Sequence, residues 1–195
     1  GLPAMNIPKE NPMTIEGIAL GRKLFYDPIL SADSTMSCAS CHQFKNNFVD
    51  STKAVSTGID GIAGTRNSMP LFNIGYNKSF MWDGGIPDLE SQVLAPIANP
   101  IELHEDIAKV VEKLQRHPLY PTLFAQAFGS DKIITKNIMY AIAQFERTMI
   151  SANSRFDKWK RGEISLTAQE MRGMEVYTNE DKGDCVHCHS FGSVF

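Results

Sequence analysis

The chain has 195 residues, of which 43% are hydrophobic and 21% are charged, and its formal net charge is −3 at pH 7. This composition is typical of a folded protein with one large or two small domains. The small acidic charge gives no reason to expect nucleic acid or an anionic membrane as a partner. No apolar run approaches the ~20 residues that a membrane-spanning helix needs, so no membrane span is predicted.

The first part of the chain contains one clear helix signal. Three prolines within the first 13 residues indicate an extended arm. Thr14 is a good N-cap, and apolar residues at helical spacing follow it up to Asp27. Residues 43–87 show neither helical nor strand periodicity. Such a long irregular stretch is unusual in a compact domain unless it is functional, and packing against a flat apolar cofactor is one such function.

Helical patterns return in the second part of the chain. Asp88 is a candidate N-cap for a short helix that ends near Pro96, and Thr167 with Glu170 forms a capping box. The pattern predicts further helices over residues 104–114, 119–128, 155–159 and 167–177, and one capped by Thr135. No segment has a convincing strand pattern. The sequence therefore predicts an all-α fold with long loops.

All four cysteines lie in two copies of the pattern Cys-x-x-Cys-His. On a helical turn, residues i, i+3 and i+4 share one face, so two thiols can form thioethers with the vinyl edge of one porphyrin. The imidazole on the same face can then reach the iron as the proximal ligand. The pattern predicts two covalently bound haem c groups, attached at Cys38, Cys41 and His42 and at Cys185, Cys188 and His189.

Other chemistry is also known for Cys-x-x-Cys pairs. A thioredoxin-like redox pair would follow a strand in a βαβ pattern, and no such pattern is visible. A structural zinc site could draw ligands from two such pairs. However, the two pairs are far apart in the chain, and zinc does not explain the histidine that follows each pair. Zinc or disulfide chemistry is therefore the weaker interpretation.

The order of several motifs is similar to that of the bacterial di-haem cytochrome c peroxidase and MauG family. From about residue 14 onward, the matching motifs are Leu20-Gly21-x-x-Leu24-Phe25-x-Asp27, Leu30-Ser31, Ser37-Cys38-x-x-Cys41-His42, Arg66-Asn67-Ser68, Phe72-Asn73, Trp82-Asp83-Gly84, Leu89-Glu90-x-Gln92, Pro96-Ile97-x-Asn99-Pro100-x-Glu102, Ala141-Ile142-x-x-Phe145-Glu146-Arg147-Thr148 and the second haem motif.

The resemblance implies a two-domain di-haem peroxidase architecture built from cytochrome c-like haem domains. Residues 1–155 would form the peroxidatic, low-potential haem domain. Residues 156–195 would begin the high-potential, electron-transfer haem domain. The family continues well beyond the point that corresponds to Phe195, so we expect this second domain to be incomplete.

The resemblance also implies roles for single residues. Glu102 would be the distal catalytic acid and base that moves a proton between the two peroxide oxygens. Gln92 would hydrogen-bond to peroxide or water in the distal pocket, and Trp82 would carry electrons between the haems. Asn67 would help to hold a calcium ion. Without the resemblance, the same residue types read as a solvated glutamate, a surface glutamine and a packed core tryptophan.

One position departs from the classical members of the family. Those members supply a histidine as sixth ligand of the resting first haem at the position that Ile59 occupies here. No histidine occurs between His42 and His104. We therefore expect a high-spin first haem with an open or water-occupied distal site, as on the MauG side of the family.

The leading functional interpretation is a cytochrome c peroxidase. It would reduce hydrogen peroxide to water with electrons from a small cytochrome c or cupredoxin, which enter through the second haem. Two alternatives stay open, namely a MauG-type haem oxidase that modifies a protein substrate and a non-enzymatic di-haem electron carrier. Because haem is normally attached outside the bacterial inner membrane, we expect a periplasmic protein whose signal peptide is absent from this chain. A homodimer is compatible with the resemblance.

Overall fold

The computed structural model describes residues 2–189. Their contacts form two compact units. Asn6–Met149 forms one unit, and the second contains the described residues from Ile150 onward together with those up to Met5. The sequence-based assignment of residues 1–155 and 156–195 to two haem domains stays a prediction.

The described residues form α-helices joined by long loops. Their bounds are α1 Ile15–Tyr26, α2 Cys38–Cys41, α3 Leu89–Gln92, α4 Leu94–Ala98, α5 Ile107–Arg116, α6 Tyr120–Phe128 and α7 Thr135–Glu146 in the first unit, and α8 Arg155–Lys160 and α9 Ala168–Thr178 in the second. Between residues 2 and 189 there is no β-sheet, only isolated bridges. The all-α prediction is confirmed.

Most of the predicted helix starts agree with the structure. The Thr14 hydroxyl accepts a hydrogen bond from the Gly17 amide at 3.0 Å, as an N-cap should. Two details were wrong. Ile134 is the N-cap of α7, and Thr135 is its first residue. Pro96 does not end a helix but lies in the first turn of α4, where a missing N–H costs no helical hydrogen bond.

Helices α1 and α7 pack closely at the centre of the first unit. Leu24 and Phe25 of α1 are fully buried, as is Ala141 of α7. Gly21 makes the close approach possible, because a Cβ atom at this position would lie 1.8 Å from the Ala141 carbonyl oxygen. The backbone of α7 therefore occupies the space that any side chain at position 21 would need.

Gly21→Ala is expected to destabilise the first unit by about 1–3 kcal/mol or more, because the two helix backbones must move apart. Urea denaturation followed by circular dichroism measures the change in the free energy of unfolding. Gly173→Ala in α9 is the matched control, since a Cβ there meets nothing within 4 Å. That change should stabilise the helix by up to about 1 kcal/mol. Equal stability of Gly21→Ala and the wild type would contradict this packing.

Polar side chains link the N-terminal arm to α3 and α7. Asn11 is buried, and its Nδ2 donates to Glu90 Oε1 at 2.7 Å while its Oδ1 accepts from Gln144 Nε2 at 2.8 Å. Arg147 Nη1 and Nη2 donate to the two Glu90 carboxylate oxygens at 2.7 and 3.0 Å. This buried polar network of Asn11, Glu90, Gln144 and Arg147 holds α3 against α7.

Candidate functional site

The first unit contains a cavity of about 360 Å³ beside the first Cys-x-x-Cys-His motif. The cavity brings together segments that are far apart in the chain, namely α2, the loop of residues 56–69, α3, α4 and the end of α7. The cavity is lined by the predicted haem-attachment residues Cys38, Cys41 and His42, by the predicted catalytic residues Trp82, Gln92 and Glu102, and by Asn67, the predicted calcium ligand. Their individual roles stay predictions.

The first motif has the helical geometry that its spacing predicts. Cys38 begins α2, and the His42 amide donates to the Cys38 carbonyl at 2.9 Å. The His42 Nδ1 lies 2.9 Å from the Phe48 carbonyl oxygen. Because a carbonyl only accepts, Nδ1 carries the proton in the neutral ring, and Nε2 then has the lone pair that a metal can bind. Burial lowers the pKa of His42, which favours the neutral imidazole that ligates iron.

Glu102 is a half-buried carboxyl group on the wall of the cavity. Burial raises its pKa, and a hydrogen bond from Asn99 Nδ2 at 2.7 Å partly opposes this by stabilising the carboxylate. The loop that contains Ile59 holds the backbone of Glu102, since the Ile59 amide donates to the Glu102 carbonyl at 3.0 Å. A Cβ at Gly58 would lie 2.3 Å from the Ile101 carbonyl oxygen, so this loop packs directly on that backbone.

Gln92 and Trp82 complete the wall on which Glu102 lies. Gln92 is the last residue of α3 and is half-buried. Trp82 is 53% exposed, and its indole Nε1 donates to the Asn67 carbonyl at 2.9 Å. The alternative of a packed core tryptophan does not describe such an exposed ring.

Asn67 is exposed, and its predicted part in a calcium site stays a prediction. Within residues 2–189, no three His, Cys, Asp or Glu side chains are grouped so that they could hold a metal ion. Calcium sites also draw on backbone carbonyl groups and water, and the Asn67 carbonyl accepts a hydrogen bond from Trp82.

The sequence analysis gave no role to Glu146, the last residue of α7. Glu146 lines the cavity and is only 5% exposed, and its Oε2 has no hydrogen-bond partner among the described residues. Burial raises its pKa to about 8. A sequence signal for it did exist, because Glu146 comes four residues after Ile142 on the face of α7 that the apolar pattern marks as buried.

The second motif is folded but exposed within the described residues. Cys185–His187 form a 3-10 turn, and the His189 amide donates to the Cys185 carbonyl at 2.8 Å. The Tyr177 hydroxyl of α9 donates to the His189 carbonyl. The local turn therefore keeps the spacing that haem attachment needs, while Cys185, Cys188 and His189 stay accessible.

Two thiols on one helical turn, with a neutral imidazole whose Nε2 is free, are the donor set of a c-type haem. These groups line one cavity, so the residues present fit that group. Fold and site together define a c-type haem protein of the all-α class. The family model of di-haem cytochrome c peroxidases matches residues 15–165, and the chain belongs to this family.

Relatives and solved structures agree with this assignment. The methylamine utilization protein MauG of Methylorubrum extorquens is 39% identical over 186 residues, which are 94% of this chain and 52% of that protein. The cytochrome c peroxidase Ccp of Escherichia coli is 38% identical over 96% of this chain and 40% of its own length. A MauG-like protein associated with microbial copper homeostasis superposes with a TM-score of 0.90 and 37% identity, over 99% of this chain and 56% of its own.

The chain spans about half the length of the curated relatives that it matches. None of the helices within residues 2–189 is long and apolar enough to cross a membrane. The family implies haem c as the cofactor and haem-dependent oxidoreduction as the class of chemistry.

Proposed function

We propose that this protein reduces hydrogen peroxide at the first haem, with electrons from a small cytochrome c or cupredoxin that enter through the second haem. One observation carries the proposal. A half-buried carboxyl group, Glu102, lines the same cavity as His42, the predicted iron ligand. An electron carrier has no use for a proton-transferring group at that place, whereas peroxide reduction needs one.

Glu102, Gln92 and the Phe48 carbonyl would each have a separate role in the reaction. When bound, the haem supplies the iron that binds peroxide and the electrons that reduce it. Glu102 accepts a proton from one peroxide oxygen and donates it to the other, which leaves as water. Gln92 donates a hydrogen bond that orients the peroxide or a water molecule. The Phe48 carbonyl holds the ring of His42 in the orientation and tautomer that iron ligation requires.

The test is peroxide-dependent oxidation of a reduced small cytochrome c or cupredoxin by the haem-loaded protein. Rapid, stoichiometric oxidation of the donor is expected.

A MauG-type oxidase is the second candidate, because Ile59 stands where classical peroxidases place a histidine. Peroxide-dependent oxidation of tyrosine or tryptophan side chains in a protein substrate, without turnover of either donor, would favour the oxidase. Electron exchange with no peroxide chemistry would favour a di-haem carrier.

Haem stoichiometry should follow the two motifs independently. The double change Cys38→Ala and Cys41→Ala is expected to remove one covalent haem, because both thioether bonds of the first site are lost. Cys185→Ala with Cys188→Ala is the matched control and should remove the other. Intact mass counts the haems, and the absorption spectrum reports spin state. The high-spin signal should disappear only in the variant that lacks Cys38 and Cys41. A low-spin, bis-histidine spectrum for the first haem of the wild type would contradict the role given to Ile59.

The pH dependence of the reaction should report the ionisation of Glu102. Because the carboxylate must be free to accept a proton, kcat/KM falls as the pH drops through the Glu102 pKa, which burial has raised. Asn99→Ala removes a hydrogen bond that stabilises the carboxylate. The pKa should rise further, and the acid limb of the pH profile should move to higher pH. The same change in a Glu102→Gln background should have no such effect, and an unmoved limb in Asn99→Ala would contradict the assignment.

Other parts of the proposal rest on family membership. We place the protein in the bacterial periplasm, where haem is normally attached to Cys-x-x-Cys-His motifs. We also assign Asn67 to a calcium site, which is tested by comparing activity and calcium content before and after chelation. A homodimer is tested by sedimentation of the haem-loaded protein.

A further inference from the structure

Glu146 is a buried carboxyl group that neither the fold nor the proposed peroxide chemistry uses. It ends α7, is 5% exposed and lines the cavity. Its Oε2 has no hydrogen-bond partner within residues 2–189. Leaving a buried acceptor unsatisfied is costly, and more so when it is charged, so this environment favours the neutral form of the carboxyl group.

Among the described residues, the cation next to Glu146 is Arg147, and its charge is already paired. Arg147 uses Nη1 and Nη2 for the two oxygens of Glu90, this pair is buried, and the Arg147 Nε has no hydrogen-bond partner within residues 2–189. Glu90 itself is a second negative charge near Glu146. Glu146 is therefore next to an ion pair whose two charges already neutralise each other.

Within residues 2–189, the buried side chains of the other helices packed against α7 bring no second cation to Glu146. The buried residues of α1 are glycine and apolar side chains. The buried residues of α5 are apolar, and those of α6 are Phe124 and Tyr120, whose hydroxyl donates to Asp27. On the cavity side the titratable groups are the thiols of Cys38 and Cys41, the neutral His42, Glu102, and the Arg66–Asp83 pair.

Glu146 lies on the side of the cavity where Cys38 is found. Burial, and then the nearby Glu146 carboxylate, raise the pKa of the Cys38 thiol to about 12. In a c-type haem, the thioether bonds lie at one edge of the macrocycle and the propionates at the opposite edge. Because Cys38 would form one of these thioether bonds, Glu146 would lie near the edge by which the haem is attached.

We propose that Glu146 is the redox-linked protonation site of the first haem: its carboxylate binds one proton from solvent when that haem gains one electron, and releases the proton when the electron leaves. The iron loses one positive charge on reduction, so a nearby carboxylate is less stabilised in the reduced state. In a buried, low-dielectric site this interaction is strong. The uptake of one electron and one proton keeps the net charge of the cavity constant.

The ionisation behaviour of Glu146 agrees with this geometry. Without haem, the pKa of Glu146 is about 8, which is close to neutral pH. A change of one charge on the haem iron can therefore move this pKa from one side of neutral pH to the other. The inference requires a haem at Cys38, Cys41 and His42, but it does not require peroxidase activity. A haem-loaded protein without peroxidase activity would still test it.

The experiment is a spectroelectrochemical titration of the haem-loaded protein from mildly acidic to mildly alkaline pH. The reduction potential of one haem should fall as the pH rises. The expected slope is up to about 59 mV per pH unit, the value for one proton taken up with one electron. Glu146→Gln should flatten that step, and Glu146→Met should do the same, because neither side chain can bind the proton. The other haem step serves as an internal control.

Glu112→Gln is the matched control, since it removes the same charge from a side chain that is 64% exposed, and it should leave the slope unchanged. An unchanged slope in both Glu146 variants, or a slope that disappears instead in Glu102→Gln, would overturn the proposal.

The wild-type protein gives an independent test that no folding defect can affect. Its reduced-minus-oxidised infrared spectrum should contain the C=O band of a protonated carboxyl group that shifts in deuterated water, and the absence of that band would also overturn the proposal.

Discussion

Replacing Glu102 with glutamine should lower kcat/KM for hydrogen peroxide by about 10²–10⁴-fold, the usual contribution of a positioned acid and base. Glutamine has nearly the same shape and can keep the contact with Asn99. However, it can neither accept nor return a proton at the pH of the reaction. The loss should therefore appear in the chemical step, as measured by single-turnover reaction with peroxide.

The Glu102→Gln prediction needs two controls because haem loading affects every rate. The covalent haem count and the circular dichroism spectrum of the variant should equal those of the wild type, since Glu102 lines the cavity but takes no part in the buried polar network. Glu112→Gln, on the exposed face of α5, should keep full activity. If Glu102→Gln reduced peroxide at the wild-type rate, the cavity would have to use another proton-transferring group, and the peroxidase assignment of Glu102 would be wrong.

Arg147→Met should destabilise the first unit by about 3–5 kcal/mol. Arg147 and Glu90 have 4% and 8% of their side-chain surface exposed, and they form a two-fold hydrogen-bonded pair. Burial alone would raise the pKa of Glu90, but hydrogen bonds from Arg147 and Asn11 outweigh it and lower the pKa. Removing the arginine leaves a buried carboxylate without its counter-charge. Guanidinium or urea unfolding measures the loss.

Two further variants separate the ion pair from the general effect of losing an arginine. Arg116→Met removes a side chain that is 82% exposed, so its effect should stay within about 0.5 kcal/mol. The double variant Glu90→Leu with Arg147→Met should be more stable than Arg147→Met alone, because the Glu90 carboxylate is then no longer left buried without its counter-charge. A double variant as unstable as the single one would show that packing, and not charge, carries the energy of this site.

The ion pair also connects stability to pH and to the functional site. Because the pKa of Glu90 is lowered by folding, its contribution to stability is present above the unfolded-state pKa and is lost as the pH falls through the folded-state value. Glu90 lies in α3, which ends at Gln92 in the cavity. Loss of the pair should therefore loosen the part of the cavity wall that carries Gln92, as well as lowering the free energy of unfolding.

Local patterns were sufficient to predict the helices and the first haem motif. Thr14, Asp88 and Thr167 cap helices because their side-chain oxygens satisfy amides one turn ahead, and this interaction depends only on near neighbours in sequence. The spacing of Cys38 and His42 likewise depends on one helical turn. The errors at Thr135 and Pro96 are of one residue or one turn, where a local signal does not define which residue is the cap.

Sequence patterns alone were sufficient for the helical class, for the two Cys-x-x-Cys-His motifs and, through the order of the motifs, for the family. The packing of remote segments brings Glu102, Gln92 and His42 to one cavity, and places Glu146 on its wall as well. The physical reason is distance along the chain. Capping and haem-motif geometry follow from neighbours within one turn, whereas burial, the pKa of a carboxyl group and the partner of a charge depend on which remote segments pack around it.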